Sequence, residues 1–395
     1  LAAVVKNLME PINLMDGDSL PVSAFTNMAD GQFEIGSAAF EKRGAAVSVP
    51  QCDQAKCIQC SLCSFVCSHA TIRPFLLDEK EMQAAPANLV AADTRPKAGK
   101  YKFTISVSTL DCTGCGECVT VCPVDALSMV PLESRLEQQP IFDYLVAHVT
   151  KKDDSGFNDL TPKGSQFNQP LLEFSGACAG CAETAYARLV TQLFGEQMYI
   201  SNATGCSSIW GGPAASCPYT AHRDSGKGPA WSNSLFEDNA EHGLGLYLGQ
   251  KHIRDTLIEE LAGLASGAQA DDALKEAIAR FMETKNNTRE NRIPAEKLIA
   301  ALEACAAPEA KKILLQKEFL AKKSVWIMGG DGWAYDIGYG GLDHVLASGE
   351  DINIMVFDTE MYSNTGGQLS KASNIGEVCQ FAAAGKDIGK KSLAE

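Results

Sequence analysis

A chain of 395 residues with 34 basic and 49 acidic side chains has a formal net charge of −15, which argues against nucleic-acid binding, because that needs a cationic surface. Hydrophobic residues make up 45% and charged residues 21%, so wholesale disorder is excluded; at about 150 residues per domain the length fits two or three domains. No apolar run reaches the about 18 residues needed to span a bilayer, so no membrane partner is expected. In chain order, Leu1-Ala2-Ala3-Val4-Val5-Lys6 has no initiator Met and no basic region leading into an apolar core. It reads as a cut inside a longer chain, not as a secretory signal. Residues 1–36 hold Asp16-Gly17-Asp18 and Asp30-Gly31 without a sustained helical period. They are expected to be irregular, the tail of a preceding domain.

Residues 37–150 carry a duplicated motif: Cys57-x2-Cys60-x2-Cys63-x3-Cys67 recurs as Cys112-x2-Cys115-x2-Cys118-x3-Cys122. The fifteen cysteines of a long acidic chain without a leader point to metal ligation in a reducing, cytoplasmic setting. Three cysteines at steps of three wrap one face of an Fe4S4 cube. The fourth of each run lies too far along to close its own cube, and in two-cluster ferredoxins it ligates the other. The expected sets are Cys57, Cys60, Cys63 with Cys122, and Cys112, Cys115, Cys118 with Cys67. Zinc ribbons would want paired Cys-x2-Cys knuckles about 15–20 residues apart, a spacing not found here. The second run ends Cys122-Pro123, as the ferredoxin signature asks, and the first ends Cys67-Ser68. Cys52 stands outside both runs and receives no role. The insert between the runs is polar, with Pro86, Pro96 and Gly99, and Tyr101–Val107 alternates as a strand.

From Gln138 to Pro170 the chain turns polar, and a boundary is expected there, giving a domain over 151–395. Cys178-Ala179-Gly180-Cys181 opens this domain and Cys206 follows. These fit a redox pair, small buried residues, or a third cluster one ligand short, for which Cys217, Cys305 and Cys379 are further candidates. Glu183–Phe194 reads as a helix with Leu189, Val190 and Leu193 on one face. Ile253, Leu257, Ile258, Leu261 and Leu264 form a second helical stripe, and Leu274, Ile278, Phe281 and Met282 a third. Strands are expected at Val325–Met328 and Ile352–Phe357, so the fold class is α/β with a mainly parallel sheet. Gly330-Asp331-Gly332 follows the first strand and Asp358-Thr359-Glu360 the second, at the strand ends where such sheets bind ligands. Mg²⁺ wants hard oxygens in an octahedron. Asp331 offers a carboxylate, Thr359 a hydroxyl, Met361 its carbonyl, and the glycines let backbone N–H groups approach a diphosphate. An ordinary Gly-rich turn with an Asp cap is the plainer alternative, against which stands Ser363-Asn364-Thr365-Gly366-Gly367-Gln368 beside the neighbouring strand end.

Together these residues resemble the C-terminal part of the pyruvate:ferredoxin (flavodoxin) oxidoreductases in their long single-chain form. The matching stretches include Glu41-Lys42-Arg43-Gly44, Ile72-Arg73-Pro74-Phe75 and Gly176-Ala177-Cys178-Ala179-Gly180-Cys181. They continue with Gly205-Cys206-Ser207-Ser208-Ile209-Trp210, Leu235-Phe236-Glu237-Asp238-Asn239 and Gly330-Asp331-Gly332-Trp333 with Tyr362–Gln368. The resemblance implies a bacterial-type 2[4Fe-4S] ferredoxin-like domain followed by a thiamine diphosphate-binding fold. The implied reaction is oxidative decarboxylation of pyruvate with coenzyme A to acetyl-CoA and CO2, electrons passing through three [4Fe-4S] clusters to ferredoxin or flavodoxin. It also implies that Cys178, Cys181 and Cys206 ligate the third cluster, with a fourth ligand beyond the end of this chain. Glu183 and Cys206 would touch the thiamine cofactor, and Gly330, Gly332 and Trp333 would line its site. Asp331, Thr359 and Met361 would hold magnesium, and Asn364 would face pyruvate. A homodimer is implied, as is an N-terminal region that completes the active site, without which this chain would not turn over. Two alternatives stand beside this: an electron-transfer module that only docks partners, which needs no magnesium–diphosphate loop, and an enzyme for another 2-oxo acid.

Overall fold

The computed structural model describes residues 2–95, 100–213 and 216–394. Pro96 and Gly99 of the insert lie outside the described residues. The chain forms two units, Leu1–Glu196 with Ile209–Gly228, and Gln197–Ser208 with Pro229–Glu395. The boundary expected near residue 150 is therefore too early. The polar stretch after Gln138 hides a helix, Gln138–His148, whose Ile141, Phe142 and Leu145 are buried, Ile141 and Leu145 against Leu77. Farther on, Glu173 pairs with Arg73, so the chain up to Glu196 stays with the first unit.

Residues 2–13, expected to be irregular, are helical turns that bury Val4, Leu8 and Met9. Among the described residues the first unit has five strands: β1 (Ser48–Cys52), β2 (Ile72–Leu77), β3 (Ala92–Asp93), β4 (Lys102–Val107) and β5 (Leu127–Pro131). β1 pairs antiparallel with β5, and β2, β4 and β3 form a second antiparallel sheet in that order. The strand expected at 101–107 is β4.

The cysteine duplication is also a duplication of backbone. Gln59 and Ser61 adopt left-handed φ of 61° and 62°, and Gly114 and Gly116, at the same offsets in the second run, 72° and 83°. Ala70 (56°) and Asp125 (50°) match in the same way after the fourth cysteines. The second copy thus uses glycine where the first strains L-residues. Gln59 offsets this: its buried side chain donates to the Asp93 carbonyl at 2.7 Å and accepts the Arg95 N–H at 2.7 Å. Ser61 has no such return, its buried hydroxyl lacking a hydrogen-bond partner among the described residues. Ser61→Gly is expected to stabilise the iron-loaded protein by about 1 kcal/mol, read as a higher melting temperature; an unchanged or lower value would mean that the turn carries no strain.

In the second unit β6 (Met198–Ala203), β7 (Ala230–Ser234), β8 (Ser324–Gly329) and β9 (Ile352–Val356) form a parallel sheet in the order β7-β6-β8-β9. A short hairpin, β10 (Met361–Tyr362) with β11 (Gln368–Leu369), follows. Between β7 and β8 run the helices Asn239–Ser266, Asp272–Thr284, Thr288–Ala304 and Pro308–Leu314, with a core that includes Leu261, Phe281, Leu298 and Ile313. Both expected helical stripes fall there. Pro294, inside the helix Thr288–Ala304, obscures that helix in the sequence, since proline ordinarily ends one. Ala203, Ser234, Gly329 and Val356 end their strands at one edge of the sheet. The chain leaves β6 towards β7 and β8 towards β9, in opposite directions, which opens a crevice at that edge. No helix among the described residues is long and apolar enough to cross a membrane.

Candidate functional site

Two small cavities lie in the first unit. One is lined by Cys57, Cys60 and Cys63 of the first run and Cys122 of the second, with Cys52. The other is lined by Cys112, Cys115 and Cys118 of the second run and Cys67 of the first. Short helices, Leu62–Phe65 and Glu117–Thr120, hold the third cysteine of each run. The cysteines thus group by cavity across the runs and not by run. Among the described residues no three His, Cys, Asp or Glu side chains converge as they would on a single ion. The thiols ring a void instead, the arrangement a cube needs.

Backbone N–H groups point at the sulfurs in both halves: Gln59 to Cys57 Sγ at 3.4 Å, Gly114 to Cys112 Sγ at 3.4 Å, Ala126 to Cys122 Sγ at 3.3 Å. Such bonds stabilise thiolate and raise cluster potentials. Burial pushes the Cys112 thiol up to about 11 and Cys118 up to about 12, with neighbouring thiols adding to the shift. Cys57 is drawn down to about 6, chiefly by a hydrogen bond from Cys52, aided by the Gln59 N–H and the charges of Arg95 and Lys163. Burial and crowding disfavour the charged form of the Cys112 and Cys118 thiols, and a bound metal would supply the opposite charge that their thiolates need.

Cys178 and Cys181 form a turn closed by the Cys181 N–H on the Cys178 carbonyl at 3.1 Å. This turn adjoins the second cavity: a Cβ placed on Gly180 would sit 3.5 Å from Cys115 Cβ. His69 Nε2 lies 3.0 Å from the Ala177 carbonyl, tying the loop after Cys67 to the same turn. The helix Ala182–Phe194 starts at the turn and carries Glu183, whose Oε2 accepts the Trp210 indole N–H at 2.8 Å. Burial raises the Glu183 carboxyl against that bond. The helix does not bury the face expected. Leu189, Val190 and Leu193 are only half-buried, whereas Glu183, Thr184, Arg188, Thr191 and Gln192 are buried. Hydropathy finds apolar stripes, and the inner face of this helix is polar. Cys206 belongs to the second unit.

At the carboxyl edge of the second unit, Asp331 is 2% exposed. Its Oδ1 accepts the Thr359 N–H at 3.0 Å and its Oδ2 the Ser370 hydroxyl at 3.2 Å, so both oxygens are oriented. Burial pushes its carboxyl up to about 6; the Thr359 N–H opposes that and the Asp358 charge adds to it. Thr359 Oγ1 lies 3.1 Å from the Met361 carbonyl oxygen and 2.9 Å from Ser363 Oγ. Adjacent ligands of a magnesium octahedron with bonds near 2.1 Å stand about 3.0 Å apart, so these two oxygens fit one edge of it. Asn364 is exposed in the loop joining β10 to β11.

The glycines of this loop differ in what they are for. A Cβ on Gly332 would lie 1.8 Å from Phe236 Cζ and 2.1 Å from Tyr362 Cε1, whereas one on Gly330 would meet nothing closer than 3.8 Å. Gly332 is there for the chain's own packing, and the backbone of Gly330 stays open to a ligand. Gly332→Ala should therefore cost about 1–3 kcal/mol as both rings are displaced, seen as a lower melting temperature, while Gly330→Ala should leave it nearly unchanged. Equal effects would contradict this division. Trp333, expected to line the cofactor site, is fully buried beside Ala203, Ala240 and Ile327. It supports the loop from beneath.

Two family models match the chain: a domain of unknown function over residues 1–46 and a 4Fe-4S dicluster domain over residues 56–126. The pyruvate:ferredoxin oxidoreductase of Moorella thermoacetica is 51% identical over 399 residues, 98% of this chain and 34% of that protein. The pyruvate-flavodoxin oxidoreductase of Klebsiella pneumoniae is 49% identical over 394 residues, 98% of this chain and 33% of that protein. The chain belongs to the pyruvate:ferredoxin (flavodoxin) oxidoreductase family. A mitochondrial pyruvate dehydrogenase [NADP(+)] of Euglena gracilis also aligns, 45% identical over 99% of this chain and 22% of that protein. The chain spans about a third of the length of the oxidoreductases it matches.

Within this family frame, the structure adds residues that the sequence did not single out. Cys52 lines the first cavity, its thiol held well above the ordinary value by its hydrogen bond to Cys57 and by burial. Ser370 orients Asp331. Neither carries a signal in spacing or type: Cys52 reaches the cavity through the pairing of β1 with β5, and Ser370 lies beyond the hairpin.

Proposed function

We propose that this chain is the electron-relay and thiamine diphosphate-binding part of an enzyme that converts pyruvate and coenzyme A to acetyl-CoA and CO2 and passes electrons to ferredoxin or flavodoxin. The observation that carries this reading is the sorting of eight cysteines into two cavities, each with three from one run and the fourth from the other. Cys57, Cys60, Cys63 and Cys122 would hold one [4Fe-4S] cluster, and Cys67, Cys112, Cys115 and Cys118 the next. Cys178, Cys181 and Cys206 would supply three ligands of a third, with Cys178 and Cys181 placed beside the second cavity. Asp331, Thr359 and Met361 would hold Mg²⁺ with thiamine diphosphate, and Glu183 and Cys206 would contact that cofactor. Asn364 would face pyruvate, and the assembled enzyme would be a homodimer. When bound, thiamine diphosphate would supply the electron sink for decarboxylation and the clusters would supply one-electron acceptors. The chain's own part is to orient the Asp331 carboxylate through Thr359 and Ser370, to present the Thr359 hydroxyl and Met361 carbonyl together, and to gather the thiols of the two runs around the two cavities. Iron and acid-labile sulfide per chain after anaerobic reconstitution test the reading. About eight of each is expected, and fewer than about four would overturn it. About twelve would place the third cluster's fourth ligand within this chain, at Cys217 or Cys379.

A further inference from the structure

Arg188 is 1% exposed, on the buried face of the helix that Cys181 opens. Its guanidinium donates from Nε to the Cys67 carbonyl at 2.9 Å and from Nη2 to the Phe65 carbonyl at 2.6 Å. Nη1 donates to Gln192 Oε1 at 2.5 Å and to Gln166 Oε1 at 3.1 Å. Every acceptor is neutral. Arg73, the other arginine buried in this unit, pairs with the carboxylate of Glu173, whereas Arg188 has no carboxylate partner among the described residues. A buried guanidinium without an anion is costly to keep and is ordinarily selected against unless something negative lies close by. The two backbone carbonyls it grips belong to the stretch between Cys63, which lines the first cavity, and Cys67, which lines the second. The negative charge at hand is therefore that of the cysteine sets themselves.

We propose that Arg188 is a positioning residue that supplies the buried counter-charge of the cluster held through Cys67, and so raises that cluster's reduction potential. The inference rests on the cofactor reading above. A [4Fe-4S] cluster with four thiolate ligands carries two net negative charges when oxidised and three when reduced. A fixed positive charge in a low-dielectric setting favours the reduced form, and losing it moves the potential to more negative values. The same side chain fixes the spacing of Phe65 and Cys67, so it joins the geometry of the two cavities to the energetics of the electron step between them.

The test is a potentiometric titration followed by electron paramagnetic resonance on the full-length, iron-loaded protein and its Arg188→Gln and Arg188→Lys variants. Cys67→Ala identifies the signal that belongs to the second cavity. Arg188→Gln is expected to keep its iron and to lower the reduced-to-oxidised ratio of that one signal, at a fixed applied potential, by about tenfold or more. Arg188→Lys, which keeps the charge and loses the fork, should recover most of the shift. Full iron with an unmoved potential in Arg188→Gln overturns the inference. So does loss of the cluster in both variants, because Arg188 would then serve only to hold the loop. An unmodified protein with no cluster in the second cavity would instead overturn the cofactor reading, and this inference with it.

Discussion

Replacing Cys67 by alanine is expected to remove the cluster that the second cysteine run holds and to leave the first run's cluster in place. Iron should fall from about eight to about four atoms per chain. The decisive comparison is between pairs. Cys67 shares a cavity with Cys112 and not with Cys63, its neighbour in sequence. Cys67→Ala with Cys112→Ala should therefore cost no more iron than either change alone, because both remove ligands of one cube. Cys67→Ala with Cys63→Ala should cost nearly all of it. Changes that act on one unit fail to add, and changes on separate units add. If each run closed its own cube, the two pairs would exchange outcomes. Cys63 is a better choice than Cys57 for this test, since Cys52 lies against Cys57 and offers a replacement thiol.

The logic of that experiment was legible in the sequence, because a fourth cysteine four positions after the third cannot reach round its own cube. The strands were legible too, β4, β8 and β9 each within a residue or two of expectation, since a short apolar run between glycines and polar turns has few other ways to fold. What the sequence did not show were contacts made by polar groups over long separations. The helix Ala182–Phe194 was found, and its buried face was assigned to Leu189, Val190 and Leu193. The structure buries Arg188 and Gln192 there, satisfied by carbonyls and amides far along the chain. Hydropathy has no means of seeing that a charged side chain will be enclosed. Trp333 is the opposite case: it lies inside the motif and is fully buried, and a motif does not say which of its side chains point inward. The boundary near 150 failed because a polar composition does not exclude a helix with one apolar stripe.

Asp331→Ala is expected to abolish binding of thiamine diphosphate with Mg²⁺ by the full-length protein while leaving the fold and the iron content intact. Of the three proposed ligands the Asp331 carboxylate is the charged one; Thr359 and Met361 contribute a hydroxyl and a carbonyl. Losing an outer-shell partner of a metal costs about 10–100-fold in affinity, so losing the charged ligand should cost more than about 100-fold, readable by titration calorimetry. Ser370→Ala supplies the graded control. It removes one donor that orients Asp331 without removing the ligand, and should fall within that 10–100-fold range. Removing the buried carboxylate also removes the cost of keeping it charged, so the apo form of Asp331→Ala should melt no lower than the unmodified protein. A lost affinity with an unchanged or higher melting temperature separates a ligand from a structural cap. A cap would show the reverse, a lower melting temperature with affinity changed less than about twofold, because its loss acts through the loop's own stability.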